Sequence, residues 1–393
     1  MKRLINSLRK RTPVGFLQLK HDLGKLATAV AGVAFADILI LMQMGFLNAL
    51  FDSSVKLHQS LNADLVIMNN QALNWTELST FSRRRLYQAF DVPGVIATEA
   101  IYINSVRWRN PQTQQKTSIL VVGIDTDDVS LSLPEVQEKS ETIKLPYTFL
   151  FDRASRGEYR EIIDQLEQGQ VLTTEIDRNT ITIEGLFSLG ASFGADATLI
   201  SSQDNFLRLF PRRDAATVSL GLIRLEATAD SEIVKQQLNT YFAELGDVKV
   251  MSLDEFINME KIYWAANRPV GIIFGFSMGI GFVVGVVIVY QVLSADVNSH
   301  LSEYATFKAM GYRHRYLLGI IFEQALILAI LGFIPGVTIS LGLYHLARKA
   351  TYLPMSLTLL RGTIVLIATL IMCTISGAIA TSKLKAADPA DMF

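Results

Sequence analysis

Charged residues vanish from four windows of the chain and crowd into what is left. The clearest window is Pro269 to Ala295, 27 consecutive residues without a charge, where a helix needs about 20 to cross the hydrocarbon core. Gln324 to Ala347 and Gly362 to Ser382 are also charge-free at spanning length, and Leu26 to Phe51 is interrupted once, by Asp37. The pattern predicts four transmembrane helices, over 26–51, 269–294, 317–347 and 362–382. The stretch between the first two, 52–268, has a different texture. β-rich or alternating runs occur at Leu61 to Met68, Ile101 to Arg109, Thr117 to Val122, Val171 to Ile183 and Val218 to Leu225, with turn-rich pieces between them. Helical periodicity appears over Ser82 to Phe90, Tyr159 to Glu167, Ser231 to Leu245 and Leu253 to Trp264. The expected fold class is therefore a membrane protein with four transmembrane α-helices and a large extracytoplasmic α+β domain between the first and second. If Leu253 to Trp264 runs on helically into the second span, it forms a rigid stalk that carries force between the two parts.

Composition sharpens the division. The mean hydropathy is +0.30 and 50% of residues are hydrophobic, high for a soluble chain of this size. Residues 52–268 hold 21 Lys+Arg and 30 Asp+Glu, net −9, whereas the remainder hold 15 and 7, net +8. A near-neutral total thus conceals an acidic domain joined to a basic membrane part, and the acidic domain argues against nucleic-acid binding. Before the first span, Lys2, Arg3, Arg9, Lys10, Arg11, Lys20 and Lys25 face a single Asp22, which predicts a cytoplasmic N-terminus by the positive-inside rule. An even number of spans places the tail 383–393 on the same side. The amphipathic segment 1–25 and the loop 295–316 are then cytoplasmic, and 52–268 and the short loop 348–361 lie outside, in a bacterial inner membrane. The first apolar stretch begins too late and runs too long for a cleaved signal peptide, so the N-terminal segment is expected to stay attached. The single cysteine, Cys373, sits in an apolar window, which leaves the outer domain without a disulfide.

Within the spans a few residues break the apolar pattern. Gly271, Gly275 and Gly279 recur every four residues, and Gly281 with Gly285 continue on a neighbouring face; such spacing permits close approach of another helix, from this chain or a second copy. Pro335, between Gly332 and Gly336, is expected to kink the third span. Asp37 lies 12 residues beyond Lys25, and Glu323 eight beyond Arg315, so at about 1.5 Å per residue the first is near mid-membrane and the second in the cytoplasmic half. Carboxyl groups at such depth face protein or water.

The outer domain offers little chemistry. His58 is its only histidine, so it has neither a metal-binding pair nor a base for a Ser/His arrangement. Asp125, Asp127 and Asp128 lack EF-hand spacing and read as a solvated turn. The run Gly185 to Gly194 superficially resembles a phosphate loop but has no lysine after its last glycine, and no Walker A sequence occurs. The chain is expected to be non-catalytic and to bind no cofactor or metal; any ATP-driven work must be done by a partner.

Between the second and third spans, Asp296 or Ser299 can cap a short helix on which Val297, Leu301, Tyr304, Ala305 and Lys308 share a face, with Gly311 able to end it. Its length suits docking into a groove of another protein. This loop resembles the coupling segment of MacB/FtsX-type ABC permeases (type VII ABC transporters), in which a short helix with an acidic residue precedes a Lys/Arg-Ala-x-Gly turn; Glu303, Lys308, Ala309, Met310 and Gly311 match. The layout of one span, outer domain and three spans matches too. Gly32 to Asp37, Ala49 to Ser53, Phe81 to Ala89, Gly185 to Phe187 and Ser192 to Asp196 look like the cyanobacterial DevC branch. The resemblance implies a permease subunit, a homodimer in membrane lipid, that receives ATP-driven motion from a separate DevA-like ATPase through Leu301, Glu303, Tyr304, Lys308, Ala309, Met310 and Gly311. It implies a tripartite efflux assembly with a DevB-like membrane-fusion protein and a TolC-like outer-membrane channel, acting by mechanotransmission, with glycolipid-like substrates in related proteins. An ATPase fused ahead of the first span is not expected. The alternative within the resemblance is an FtsX-like regulator of a periplasmic cell-wall hydrolase.

Overall fold

The computed structural model describes residues 14–176, 178–192 and 194–386. Lys2, Arg3, Arg9, Lys10, Arg11, Phe193 and the tail after residue 386 lie outside the described residues. The chain divides into a helical unit, from 1–48, 272–347 and 355–393, and an α+β unit, from 49–271 with 348–354.

The helical unit is a membrane protein's: four helices are long and apolar enough to cross a bilayer, Leu23–Ser54, Pro269–Ser299, Arg315–Thr351 and Leu359–Thr381. Small residues let them meet. Ala29, Val33 and Ala36 of the first span pack with Val289 and Leu293 of the second, Ala325, Leu328 and Ala329 of the third and Met372, Cys373 and Ala380 of the fourth. Gly285 abuts Ala36 and Met372, Gly281 lies against Leu39 and Ile40, Gly332 against Val33, and Gly336 against Ala34 and Asp37. A Cβ on Gly275 or Gly279 would meet no atom within 4 Å among the described residues, and Gly271 touches the backbone of Trp264 and Ala265. The close-contact face within the chain is thus the Gly281–Gly285 face. The third helix runs unbroken through Pro335 from His314 to Thr351. Replacing Gly332 by Leu is expected to lower the thermal stability of the detergent-solubilised chain by about 1–3 kcal/mol, because the added atoms collide with Val33 in a close-packed contact. Gly342→Leu, on the same helix with open space at its Cβ, should leave the melting point within error.

Along the α+β unit the elements are α1 (Lys56–Gln59), β1 (Leu65–Asn69), β2 (Phe81–Ser82), α2 (Arg84–Ala89), β3 (Val95–Arg109), β4 (Lys116–Ile124), α3 (Pro134–Glu138), β5 (Thr148–Asp152), α4 (Arg160–Glu167), β6 (Leu172–Ile176), β7 (Asn179–Phe187), β8 (Ala197–Ser202), α5 (Gln203–Leu209), β9 (Thr217–Val218), β10 (Leu220–Leu225), α6 (Ser231–Ala243), β11 (Val248–Ser252) and α7 (Leu253–Ile262). Nine strands form one mixed sheet in the order β11-β1-β10-β3-β4-β8-β5-β7-β6; β4 and β8 run parallel, as do β5 and β7. Alternation decides the two faces: Leu65, Ile67, Ile119, Val121, Phe149 and Phe151 pack with α2, α4, α5 and α6, and Val66, Met68, Leu120, Val122 and Leu150 with α1, α3 and α7. Burial on both faces explains why these strands read as continuous apolar runs rather than alternating ones. Three of these helix starts are capped by side chains: Ser202 accepts from the Asn205 amide, Asp230 accepts from the amides of Glu232 and Ile233, and Ser252 with Glu255 makes a reciprocal capping box.

The expected unbroken stalk does not form. Helix α7 ends at Ile262, Tyr263–Asn267 is a single π-helical turn and Arg268 is extended (φ −109°, ψ 136°). Arg268 cannot follow the helix because Pro269 disfavours helical geometry at the residue before it. Its guanidinium lies 5.2 Å from the Tyr263 ring and 5.8 Å from that of Trp264, and it bonds Glu77 at 2.7 Å. The helical path is therefore interrupted at Arg268.

Candidate coupling site

The segment after the second span is organised by its ends. The second helix continues to Ser299, so Asp296 and Ser299 are last-turn residues and not caps of the next helix, whose N-cap His300 makes no side-chain capping bond. The coupling helix is Leu301–Ala309. It stops in a Schellman motif: the Tyr312 amide donates to the Phe307 carbonyl at 3.0 Å and the Gly311 amide to that of Lys308 at 3.0 Å. Gly311 sits at φ +90°, and the Tyr312 and Phe307 rings meet at 5.6 Å. The Lys308-Ala309-Met310-Gly311 string is therefore a helix terminator, since only glycine holds that backbone conformation without strain. Gly311→Ala should cost about 1–2 kcal/mol from left-handed strain alone, its Cβ meeting open space. The expected readout is faster hydrogen exchange at the Tyr312 amide with the rest of the chain unchanged.

One face of the helix belongs to the membrane unit. Tyr304 and Ala305 are buried, and Tyr304 packs with Val297, Leu317, Ile320 and Ile321. Burial, with the nearby Asp296 carboxylate adding to it, holds the Tyr304 phenol well above its ordinary pKa. Tyr304 thus supports the helix from within, and Leu301 and Lys308 are half-buried. The other face is open: Ser302, Glu303, Thr306, Ala309, Met310, Gly311, Tyr312 and Arg313 are exposed, Met310 at 61%.

Sequence reasoning missed the polar net that fixes this face. The N-terminal helix Val14–His21 lies against the third span, where a Cβ on Gly15 would be 2.9 Å from the Ile320 carbonyl. From it Gln18 Nε2 donates to Glu303 Oε2 at 3.1 Å, while Gln18 Oε1 accepts from the Tyr304 hydroxyl at 3.3 Å and from Gln324 Nε2 at 3.2 Å. Gln324 Nε2 also donates to Asp296 Oδ2 at 2.8 Å, and His300 Nδ1 is 3.5 Å from Asp296 Oδ1. Four chain segments are joined through two glutamines. Glu323, which the charge pattern singled out, is only half-buried; its neighbour Gln324 is completely buried. A scan for charges passes over glutamine, which is why the signal was invisible. A cavity of about 160 Å³ lined by Gln18, Asp22, Lys25, Val292, Leu293 and Asp296 lies beside the net. Asp37 is also fully buried and is bonded to Thr369.

In the α+β unit the glycine-containing run is already occupied by a side chain. Asp152 is fully buried and accepts the amides of Ala154 (2.9 Å), Leu189 (3.0 Å) and Gly190 (2.7 Å). Gly190 has φ +101°, and a Cβ there would overlap the Lys56 ammonium. Burial raises the Asp152 pKa against those three donors and Lys56, and burial lowers that of Lys56. An internal carboxylate thus takes the place a phosphate would need. Asp127 pairs with Lys144 and Asp128 with Arg224. His58, fully buried, lies between Trp75 and Phe256 with Nε2 3.6 Å from Glu260; Glu260 accepts from the Trp75 amide and the Trp264 indole.

Three solved structures align with about half of this chain, at low identity. The periplasmic region of MacB from Actinobacillus actinomycetemcomitans aligns at 12% identity over 51% of this chain and 92% of its own (TM-score 0.36). The extracellular domain of the ABC-type transporter YknZ from Gram-positive bacteria aligns at 13% over 48% and 99% (TM-score 0.33). A permease domain from Porphyromonas gingivalis aligns at 13% over 49% and 89% (TM-score 0.31). No curated protein matches the chain. Residues 275–389, from within the second span through the coupling segment to the end of the fourth, match the family model described as FtsX-like permease C-terminal.

Proposed function

We propose that the chain is the non-catalytic transmembrane subunit of an ATP-driven exporter, receiving its motion from a separate ATPase docked on the coupling helix. The observation that carries the reading is the coupling segment itself. One face of the helix is bonded to the N-terminal helix through Glu303 and Tyr304 and packs on the second and third spans through Tyr304, while Ser302, Thr306, Ala309 and the turn from Met310 to Arg313 are open. A push on such a helix moves the spans instead of bending a loop. The match of residues 275–389 to FtsX-like permeases supports the same role. ATP and Mg sit on the partner in this reading. We place the N-terminus and coupling helix in the cytoplasm, and the α+β unit on the far side of a bacterial inner membrane, on the charge pattern of the N-terminal segment.

The finer assignment is a DevC-like permease that works as a homodimer with DevA-like, DevB-like and TolC-like partners. The second copy is placed on the open face of Gly275 and Gly279, beside the exposed Phe276. Cysteine scanning tests the reading, because the native Cys373 is buried. Thr306→Cys should crosslink to the ATPase and react with a membrane-impermeant maleimide only after permeabilisation, whereas Gln237→Cys, on exposed α6, should react in intact spheroplasts. Reversed labelling would put the coupling helix on the side without ATP and end the proposal. Capture of a cell-wall hydrolase in place of a fusion protein and an outer-membrane channel would move the function to regulation.

A further inference from the structure

Asp37 is the one acidic residue buried completely inside the membrane unit among the described residues of the spans, and the count of hydrogens around it is informative. Its Oδ1 is 2.6 Å from the Thr369 hydroxyl of the fourth span. That hydroxyl is also 2.8 Å from the Val365 carbonyl one turn back. A threonine hydroxyl carries a single hydrogen and two acceptor lone pairs. It can serve both contacts fully only by donating to Val365 and accepting from Asp37, the usual back-bond of threonine in an apolar helix. The hydrogen between Asp37 and Thr369 must then come from the carboxyl group.

The surroundings agree. Asp37 and Thr369 are each fully buried, and Val365 is at 1% exposure. The other oxygen, Asp37 Oδ2, has no hydrogen-bond partner among the described residues. No lysine, arginine or histidine among the described residues forms an ion pair with Asp37. The third helix closes over it, with Gly336 allowing the backbone within van der Waals contact of the Asp37 Cβ. An ionised carboxylate with one donor, one bare oxygen and no counter-ion is far costlier in such a site than a neutral acid with one unmet carbonyl oxygen.

We propose that Asp37 is a proton-binding site: it is held as the neutral carboxylic acid and donates its own hydrogen to Thr369, joining the first span to the fourth through the sequence Asp37, Thr369, Val365. The proton is the ligand, taken from water before the helices close, and no counter-ion is required. The assignment rests on helix packing alone and stands or falls separately from the choice of energy source.

Infrared difference spectroscopy on the full chain in lipid nanodiscs at neutral pH tests it. The wild type minus Asp37→Asn difference should contain the C=O stretch of a protonated carboxyl group in a dry site. In Thr369→Val, a near-isosteric change that removes the acceptor, the same band should persist and move to higher frequency. If Asp37→Asn fails to assemble, wild type against Thr369→Val still carries the test, through the displaced band. A difference spectrum showing only ionised-carboxylate bands overturns the proposal, as does a protonated-carboxyl band that Thr369→Val leaves unmoved.

Discussion

Asp152→Ala is expected to destabilise the α+β unit by about 3 kcal/mol or more, since each buried donor left without an acceptor costs about 1–3 kcal/mol. Three amides lose their partner together: Ala154, Leu189 and Gly190. The loop between β7 and β8 depends on them, and Lys56, which already has a lowered pKa from burial, loses a compensating negative charge. Asp152→Asn keeps an oxygen for two of the amides but turns an NH2 group toward the third, so it should fall between the wild type and alanine. Hydrogen exchange on the full-length protein reads the outcome. In the alanine variant protection should be lost first at Leu189 and Gly190 and then across β7 and β8. Unchanged protection at these amides would mean that the loop is held by its own backbone geometry.

The second large effect concerns coupling. Gln324→Leu is close in volume but removes both donations from Nε2, to Gln18 and to the Asp296 carboxylate. A hydrogen bond to a charged group contributes about 1.5–3 kcal/mol, and about 1.4 kcal/mol is a factor of ten. If the coupling helix transmits force through this net, stimulation of the partner ATPase should fall at least about tenfold, with membrane insertion intact. Crosslinking from Thr306→Cys separates the causes. Docking retained with stimulation lost places the defect in transmission. Full stimulation in Gln324→Leu would show that the net only stabilises the bundle and that force takes another route.

Much of the fold is readable from the residues. β3 and β4 lie where Ile101 to Arg109 and Thr117 to Val122 suggested, extended at their ends by pairing. Val171 to Ile183 read as one strand but forms two, β6 and β7, with Arg178 in the left-handed region at φ +72°; a turn that uses arginine where glycine or asparagine is usual leaves little trace in a sequence. β5, β8 and β11 escape the sequence reading because segments of five or six residues, each with polar residues among the apolar ones, are too short to show a period of their own. Their place comes from pairing with strands far along the chain, as Phe151 does with Leu199 and Val66 with Met251.

What the sequence settles unaided is what lipid or local backbone geometry demands. Three charge-free runs and a fourth broken only by Asp37 read as spanning helices because hydrocarbon tolerates neither charge nor an unsatisfied backbone, and the helix before Gly311 must stop because glycine there adopts a conformation its neighbours resist. The polar contacts of the coupling site are of another kind. Gln18, Asp296 and Gln324 come from three separate segments, and each glutamine alone is an ordinary residue near a membrane boundary. Only the folded helices bring their amides together, and only the packing decides that Gly281 and Gly285 meet a neighbour while Gly275 and Gly279 have open space at their Cβ positions among the described residues. The physical reason is the same in both cases: solvent and backbone preferences act on each residue where it stands in the chain, whereas a hydrogen bond or a close contact exists only after two distant segments have been placed side by side.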